Sequence, residues 1–341
     1  MKFGQWIGLI ALLVSLYILW QIRQMLLLLF TAVVLATAVN QLVQQFQRLR
    51  IQRHQAVFLS IGILLTLLIG CFWLIVPAFA DQFQQLVALL PTGLTRIQDW
   101  LNLLEERILG RYPDLPDINN LLQQIQPLAT QLLGQSINFF SNSVSAILEF
   151  LLVLILTVML LVNPQPYRKS FIRLFPSFYR KRVDEILSLC EDGLGSWTIG
   201  ALIEMVFIAA LSGISLWILQ VPLALAHAVL AGLLNFIPNI GPTLSVVFPM
   251  AIALLDTPWK AGVVLIIYIV IQQIESYWLT PTVMAKQVSL LPAITLTSQI
   301  FFASSFGALG LLMALPLTVV AKTWLEEALF KDVLDKWHYT R

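Results

Sequence analysis

Two glutamates, Glu204 and Glu275, lie inside long apolar runs of this chain. Ionising a carboxylate in hydrocarbon is costly, so such a residue is a functional candidate by default. It suits proton coupling or the binding of a cation; placement near the water interface is the alternative reading for both. Gln272 and Gln273 stand just before Glu275 and add polar surface to the same run. Asn235 and Asn239 form a second group of candidates with Pro238, Gly241 and Pro242, in the stretch Asn235-Phe236-Ile237-Pro238-Asn239-Ile240-Gly241-Pro242. Their amides are suited to an ion or a polar solute. Ser304, Ser305, Gly307 and Gly310 form a third group; for the serines, hydrogen bonds back to helical carbonyls are the alternative.

These groups coincide with breaks in helical runs. Pro238 and Pro242 lack amide donors and clash with the preceding turn, and Gly241 is expected to take left-handed angles. A broken helix in hydrocarbon survives only where it is buried in protein or lines a wet cavity. The stretch therefore reads as the tip of a re-entrant hairpin, with a turn at the membrane surface as the alternative. The apolar run from 221 to 255 gives two arms of about 14–16 residues, roughly 21–24 Å as helix and short of a ~30 Å core. The run from 291 to 321 divides in the same way around Ser304–Gly310.

The elements that must hold these residues follow from composition. Of 341 residues, 59% are hydrophobic and 11% charged, against about 25% charged in soluble domains. The expected class is an all-α polytopic integral membrane protein with about six full spans and two opposed re-entrant hairpins. Residues 1–80 hold three spans and 81–142 an amphipathic helical segment outside the hydrocarbon. Residues 143–163 form the fourth span and 164–196 a basic link. A span and the first hairpin occupy 197–256, a span and the second hairpin 257–325, and a charged tail 326–341. Each C-terminal unit pairs a glutamate-bearing span with a short-armed hairpin, and the two run in opposite senses. That is the pattern of an inverted repeat, in which matching breaks point to the transport site.

Charge sets the orientation. Arg168, Lys169, Arg173, Arg180, Lys181 and Arg182 follow the fourth span, which places this link in the cytoplasm by the positive-inside rule. Counting spans puts both termini inside and 81–142 outside. Cys71 and Cys190 do not make a disulfide framework. His54, His227 and His338 lack metal-ligand spacing, and no hydrolase or phosphate-loop motif occurs. No metal, cofactor or nucleic-acid partner is expected, and an intramembrane enzyme is disfavoured.

The order of features resembles the autoinducer-2 exporter (AI-2E) family of bacterial membrane proteins. The resemblance rests on Asn235 to Pro242, on Gln272-Gln273-Ile274-Glu275 with Leu279-Thr280-Pro281, on Leu291-Pro292, and on the block from Phe306 to Pro316. It covers nearly the whole chain and is strongest from Tyr167 to Ala321. It implies a multi-pass transporter of the bacterial cytoplasmic membrane, exporting a small polar solute or signalling molecule. Na+(Li+)/H+ antiport is the alternative within the family, and a non-transporting membrane scaffold the alternative outside it. The partners expected are the lipid bilayer, a small polar solute or cation, and further copies of the chain. Many members carry glycine where Ala285 stands and histidine where Leu291 stands, and these departures bear on the substrate.

Overall fold

A computed structural model describes residues 3–77, 143–284 and 291–336, all of the regular structure among them helical. The segment expected outside the hydrocarbon, 81–142, lies outside the described residues. The helices are α1 (Phe3–Gln21), α2 (Arg23–Arg48), α3 (Arg53–Pro77), α4 (Ser143–Val162), α5 (Pro164–Arg173) and α6 (Arg180–Ile218). They continue with α7 (Ala224–Leu234), α8 (Ile240–Asp256), α9 (Pro258–Ile274) and α10 (Pro292–Trp324). Helix α9 runs on through a π-helical turn, Glu275–Leu279, into Thr280–Met284, and α10 into a π-helical extension, Leu325–Leu334. Among the described residues, five helices are long and apolar enough to cross a membrane, and six if the bent pair Ile147–Val162 and Pro164–Arg173 is included. The protein is an all-α, polytopic membrane protein.

The chain forms two compact units. Among the described residues, the first combines 3–64, 146–199 and 291–336. Its core sets Ala36, Val39 and Val43 of α2 against Ala56 and Val57 of α3 and Leu161 of α4. At the end of α4, Arg53 donates to the Leu161 carbonyl at 3.0 Å, a cation at a helix C-terminus where the dipole favours it. Asn163 then leaves the helical region, and α5 turns off at 93°. The basic link is thus helical in its first part, and α6 starts at Arg180, within the link and ahead of the apolar run that the expected fifth span occupies. Hydropathy marks only where a helix enters hydrocarbon, and Arg, Lys and Glu propagate a helix well beyond that point. Arg182 holds the N-terminal end of α6 to the α10 extension through Glu327 at 2.7 Å and Asp332 at 3.0 Å.

Among the described residues, the second unit combines 65–77, 143–145 and 200–284. Its core joins Ile208 and Leu216 of α6, Ala231 of α7, Ile252 and Ala253 of α8, and Val264, Tyr268 and Ile271 of α9. Helices α6 and α7 cross closely. A methyl on Gly232 would stand 2.5 Å from the Met205 carbonyl oxygen and 2.9 Å from the Ala209 Cβ, the small-residue contact that lets membrane helices approach. The arms α7 and α8 have 11 and 17 residues, roughly 17 and 26 Å, so neither crosses a ~30 Å core alone.

The break between α7 and α8 departs from expectation in one respect. Asn239, not Gly241, takes the positive φ, at 67° with ψ −47°. Gly241 serves close approach instead: a Cβ there would collide with the carbonyl of Leu234, the last residue of α7. In α10 the break falls at Gly307, with φ 69° and ψ −149°. Gly310 then meets the carbonyl oxygen of Phe302, although a straight helix would place residues eight apart about 12 Å from each other. The chain therefore folds back at Gly307, between arms 292–306 and 308–324. Leu309, just past this break, packs on Leu28, Ala32 and Val153.

Overpacking a close backbone contact costs about 1–3 kcal/mol. Gly241→Ala and Gly310→Ala should each lower the melting temperature of detergent-purified protein measurably. Gly62→Ala, where an added methyl meets nothing within 4 Å, should leave it unchanged or raise it.

Candidate functional site

Among the polar side chains that the second unit buries, Asn235, Glu275 and Glu204 come from three different elements. Asn235 follows the last residue of α7 and keeps helical angles. Its amide nitrogen stays in the helical ladder, donating to Ala231 at 3.0 Å, so the side chain leaves at a fixed angle. Glu275 opens the π-helical turn on α9; such widened turns are frequent at functional sites. Glu204 lies on α6, one residue before the Met205 carbonyl that α7 approaches through Gly232. Asn235 is 4% exposed, Glu275 6% and Glu204 6%. These values place both glutamates inside protein rather than at a solvated surface.

Their contacts are specific. Asn235 Nδ2 donates to Glu275 Oε1 at 2.8 Å, and Gln272 Nε2 donates to Glu275 Oε2 at 3.0 Å. Both oxygens of the Glu275 carboxylate are thereby met by neutral donors. The Thr280 hydroxyl bonds the Glu204 carboxylate, and Glu204 lies close enough to Glu275 for like charges to repel. Glu204 Oε1 and Asn235 Oδ1 are buried acceptors without a hydrogen-bond partner among the described residues. Leaving such a group unpaired costs about 1–3 kcal/mol, more when it is charged. The cluster has more acceptor oxygens than donors. It suits a proton, a cation, or a solute that brings its own hydroxyl or amine donors.

The other predicted residues are distributed around the two breaks. Asn239 is exposed at the first tip, and Thr243 donates back to its carbonyl at 2.9 Å. The two asparagines that sequence set side by side therefore do different things: Asn235 binds a carboxylate and Asn239 turns the chain. Pro238 and Pro242 are partly exposed and Gly241 is buried. Gln273 is exposed, so only Gln272 of the glutamine pair joins the cluster. In the first unit, Ser304 is exposed and donates to Phe301 O at 2.9 Å, the back-bonding alternative. Ser305 precedes the fold-back within the first arm, Gly307 makes it, and Gly310 seats the second arm. Gln299, on the same arm, is 1% exposed. Thr280 escaped the sequence reading because a threonine near a span end carries no signal until it is seen against Glu204.

A family profile described as AI-2E family transporter matches residues 9–330. The chain is 29% identical over 304 residues to the AI-2 transport protein TqsA of Escherichia coli (strain K12), covering 87% of this chain and 84% of that protein. It is 26% identical over 316 residues to the putative transport protein YhhT of the same strain, covering 89% and 84%. To the putative transport protein sll0060 of Synechocystis sp. (strain ATCC 27184 / PCC 6803 / Kazusa) it is 28% identical over 301 residues, covering 83% and 82%.

A hydrogen bond to a charged group contributes about 1.5–3 kcal/mol and a neutral one about 0.5–1.5 kcal/mol. Asn235→Ala should therefore destabilise the protein more in the native background than in a Glu275→Gln background. Melting temperatures of the four proteins of this double-mutant cycle measure the difference. Equal costs in both backgrounds would mean that the Glu275 carboxyl is neutral in the folded protein.

Proposed function

The chain belongs to the AI-2E transporter family, and from that premise we propose that it exports a small polar solute through the buried cluster of its second unit. The single observation that carries this reading is the bond from Asn235, at a helix break, to the buried carboxylate of Glu275. A hairpin tip tied to a charged acceptor moves only when that bond is exchanged for another. A solute with hydroxyl or amine donors offers that exchange, since Glu204 Oε1 and Asn235 Oδ1 await donors. In this scheme Asn235, Glu204, Gln272 and Glu275 contact the solute. Pro238, Asn239, Gly241 and Pro242 form the tip that releases it. In the first unit Ser304, Ser305, Gly307 and Gly310 make the corresponding hinge. A second reading, cation–proton exchange, rests on the two buried carboxylates themselves.

Flux in proteoliposomes tests both. Asn235→Ala, Glu204→Gln and Glu275→Gln should each lower the initial rate of solute flux at least tenfold per folded protein, a loss of about 1.4 kcal/mol of transition-state stabilisation. Native-like solute flux in all three would sink the assignment. A pH change on adding Na+ or Li+ that persists without solute, and that Glu275→Gln abolishes, would favour the second reading.

The proposed orientation has the basic link and both termini in the cytoplasm. In a background lacking Cys71 and Cys190, a cysteine at Ser177 should react with an impermeant maleimide only after the cells are permeabilised. Labelling of intact cells would reverse the orientation.

A further inference from the structure

We propose that the elbow formed by α5 and the turn after it is a binding surface for anionic phospholipid headgroups. Helix α5 leaves the apolar span α4 at 93°, which lays it along the membrane surface. It buries none of its residues. One side faces the protein and is pinned there by Arg168. This guanidinium bonds Asp184 Oδ1 at 2.6 Å, Glu191 Oε2 at 3.2 Å and Ser188 Oγ at 2.6 Å. Farther along, Phe175 stacks on Trp324 with ring centroids 5.8 Å apart. The elbow therefore has a fixed roll about its own axis.

That roll separates the two remaining faces. Tyr167, Phe171 and Leu174 recur at i, i+4 and i+7, so they share one stripe. All three are exposed, Leu174 at 79%, and Phe178 in the following turn is 87% exposed. A tethered, exposed apolar stripe beside a span end has the acyl boundary as its natural neighbour. Lys169 and Arg173 lie four residues apart on the opposite side of the helix, and Lys181 is exposed nearby in sequence. Unlike Arg168 and Arg182, these three cations have no ion pair among the described residues. With the stripe in the acyl boundary, they stand at headgroup level. Charge complementarity selects a phosphodiester headgroup with net negative charge over a zwitterionic one. A basic residue near such a surface gains attraction that falls off within a Debye length.

The test titrates purified full-length protein, in neutral detergent at low salt, with fluorescent-tailed phosphatidylglycerol or phosphatidylcholine and follows anisotropy. Phosphatidylglycerol should bind roughly tenfold more tightly, three basic groups being available. The preference should fall to within about twofold in Lys169→Gln/Arg173→Gln/Lys181→Gln, and the charge-retaining Lys169→Arg/Arg173→Lys/Lys181→Arg should restore it. Phe171→Ser/Phe178→Ser should weaken both lipids alike. Equal binding of the two lipids by the native protein would overturn the proposal. So would an unchanged preference in the glutamine variant, or full competition by inorganic phosphate at matched concentration, which would mark a site for the free anion.

Discussion

The hydrogen bond from Asn235 Nδ2 to Glu275 Oε1 joins two features that would each be expensive alone. A helix that stops inside an apolar unit exposes backbone groups that hydrocarbon cannot satisfy. A carboxylate in the same place needs a partner or a proton. The backbone amides at the break are met by turn bonds, Phe236 to Leu233 at 3.2 Å, Ile237 to Leu234 at 2.9 Å and Gly241 to Ile237 at 2.8 Å, while the Asn235 side chain supplies a donor to the carboxylate. The tip gains an anchor, and the acid gains a donor. The rest of the second unit serves this contact. Gly232 lets α7 close on α6, so that the chain leaves α7 near Glu204, and the π turn starts at Glu275.

Both helix breaks use one local device. A single residue turns the backbone at positive φ, Asn239 at 67° and Gly307 at 69°. A glycine two or three positions later then sits on a carbonyl of the arm just left, Gly241 on Leu234 and Gly310 on Phe302. A methyl at either glycine would push the arms apart and uncover the backbone groups that the fold-back hides. The likeness lies in backbone geometry, while the side chains differ: prolines and asparagines flank the first break, serines and alanine the second. Such a device constrains the flanking side chains little, since it demands only a turning residue and a small one.

Much of this architecture was legible because hydrocarbon imposes strict rules on sequence. Apolar runs marked the helices long enough to span, and Pro238 and Gly307 lay within the breaks. The glutamates stood out because ionised groups in apolar runs are rare. What escaped was anything decided by packing across helices. No sequence rule tells Asn235 from Asn239; only the burial of the first against α9 does. Gly241 looked like a turning residue because glycine so often is one, yet its missing Cβ matters for space rather than for angle. That α6 begins at Arg180, ahead of its apolar run, was not legible because hydropathy reports the solvent of a helix and not its ends. Thr280 gained a role only through Glu204, a partner 76 positions away.

The imbalance of the buried cluster has a direct consequence for what the second unit can bind. Gln272 and Asn235 spend their amide donors on Glu275, while Asn235 Oδ1 and Glu204 Oε1 remain acceptors. An anionic ligand would meet two carboxylates, whose partners among the described residues are the neutral side chains of Asn235, Gln272 and Thr280. A purely apolar ligand would leave the acceptors unpaired and bear their desolvation cost. A neutral or cationic ligand rich in donors relieves both conditions at once. For the proposed site this chemistry would reject by charge and select by hydrogen bonding, with Asn235 linking the ligand to the helix break through its bond to Glu275.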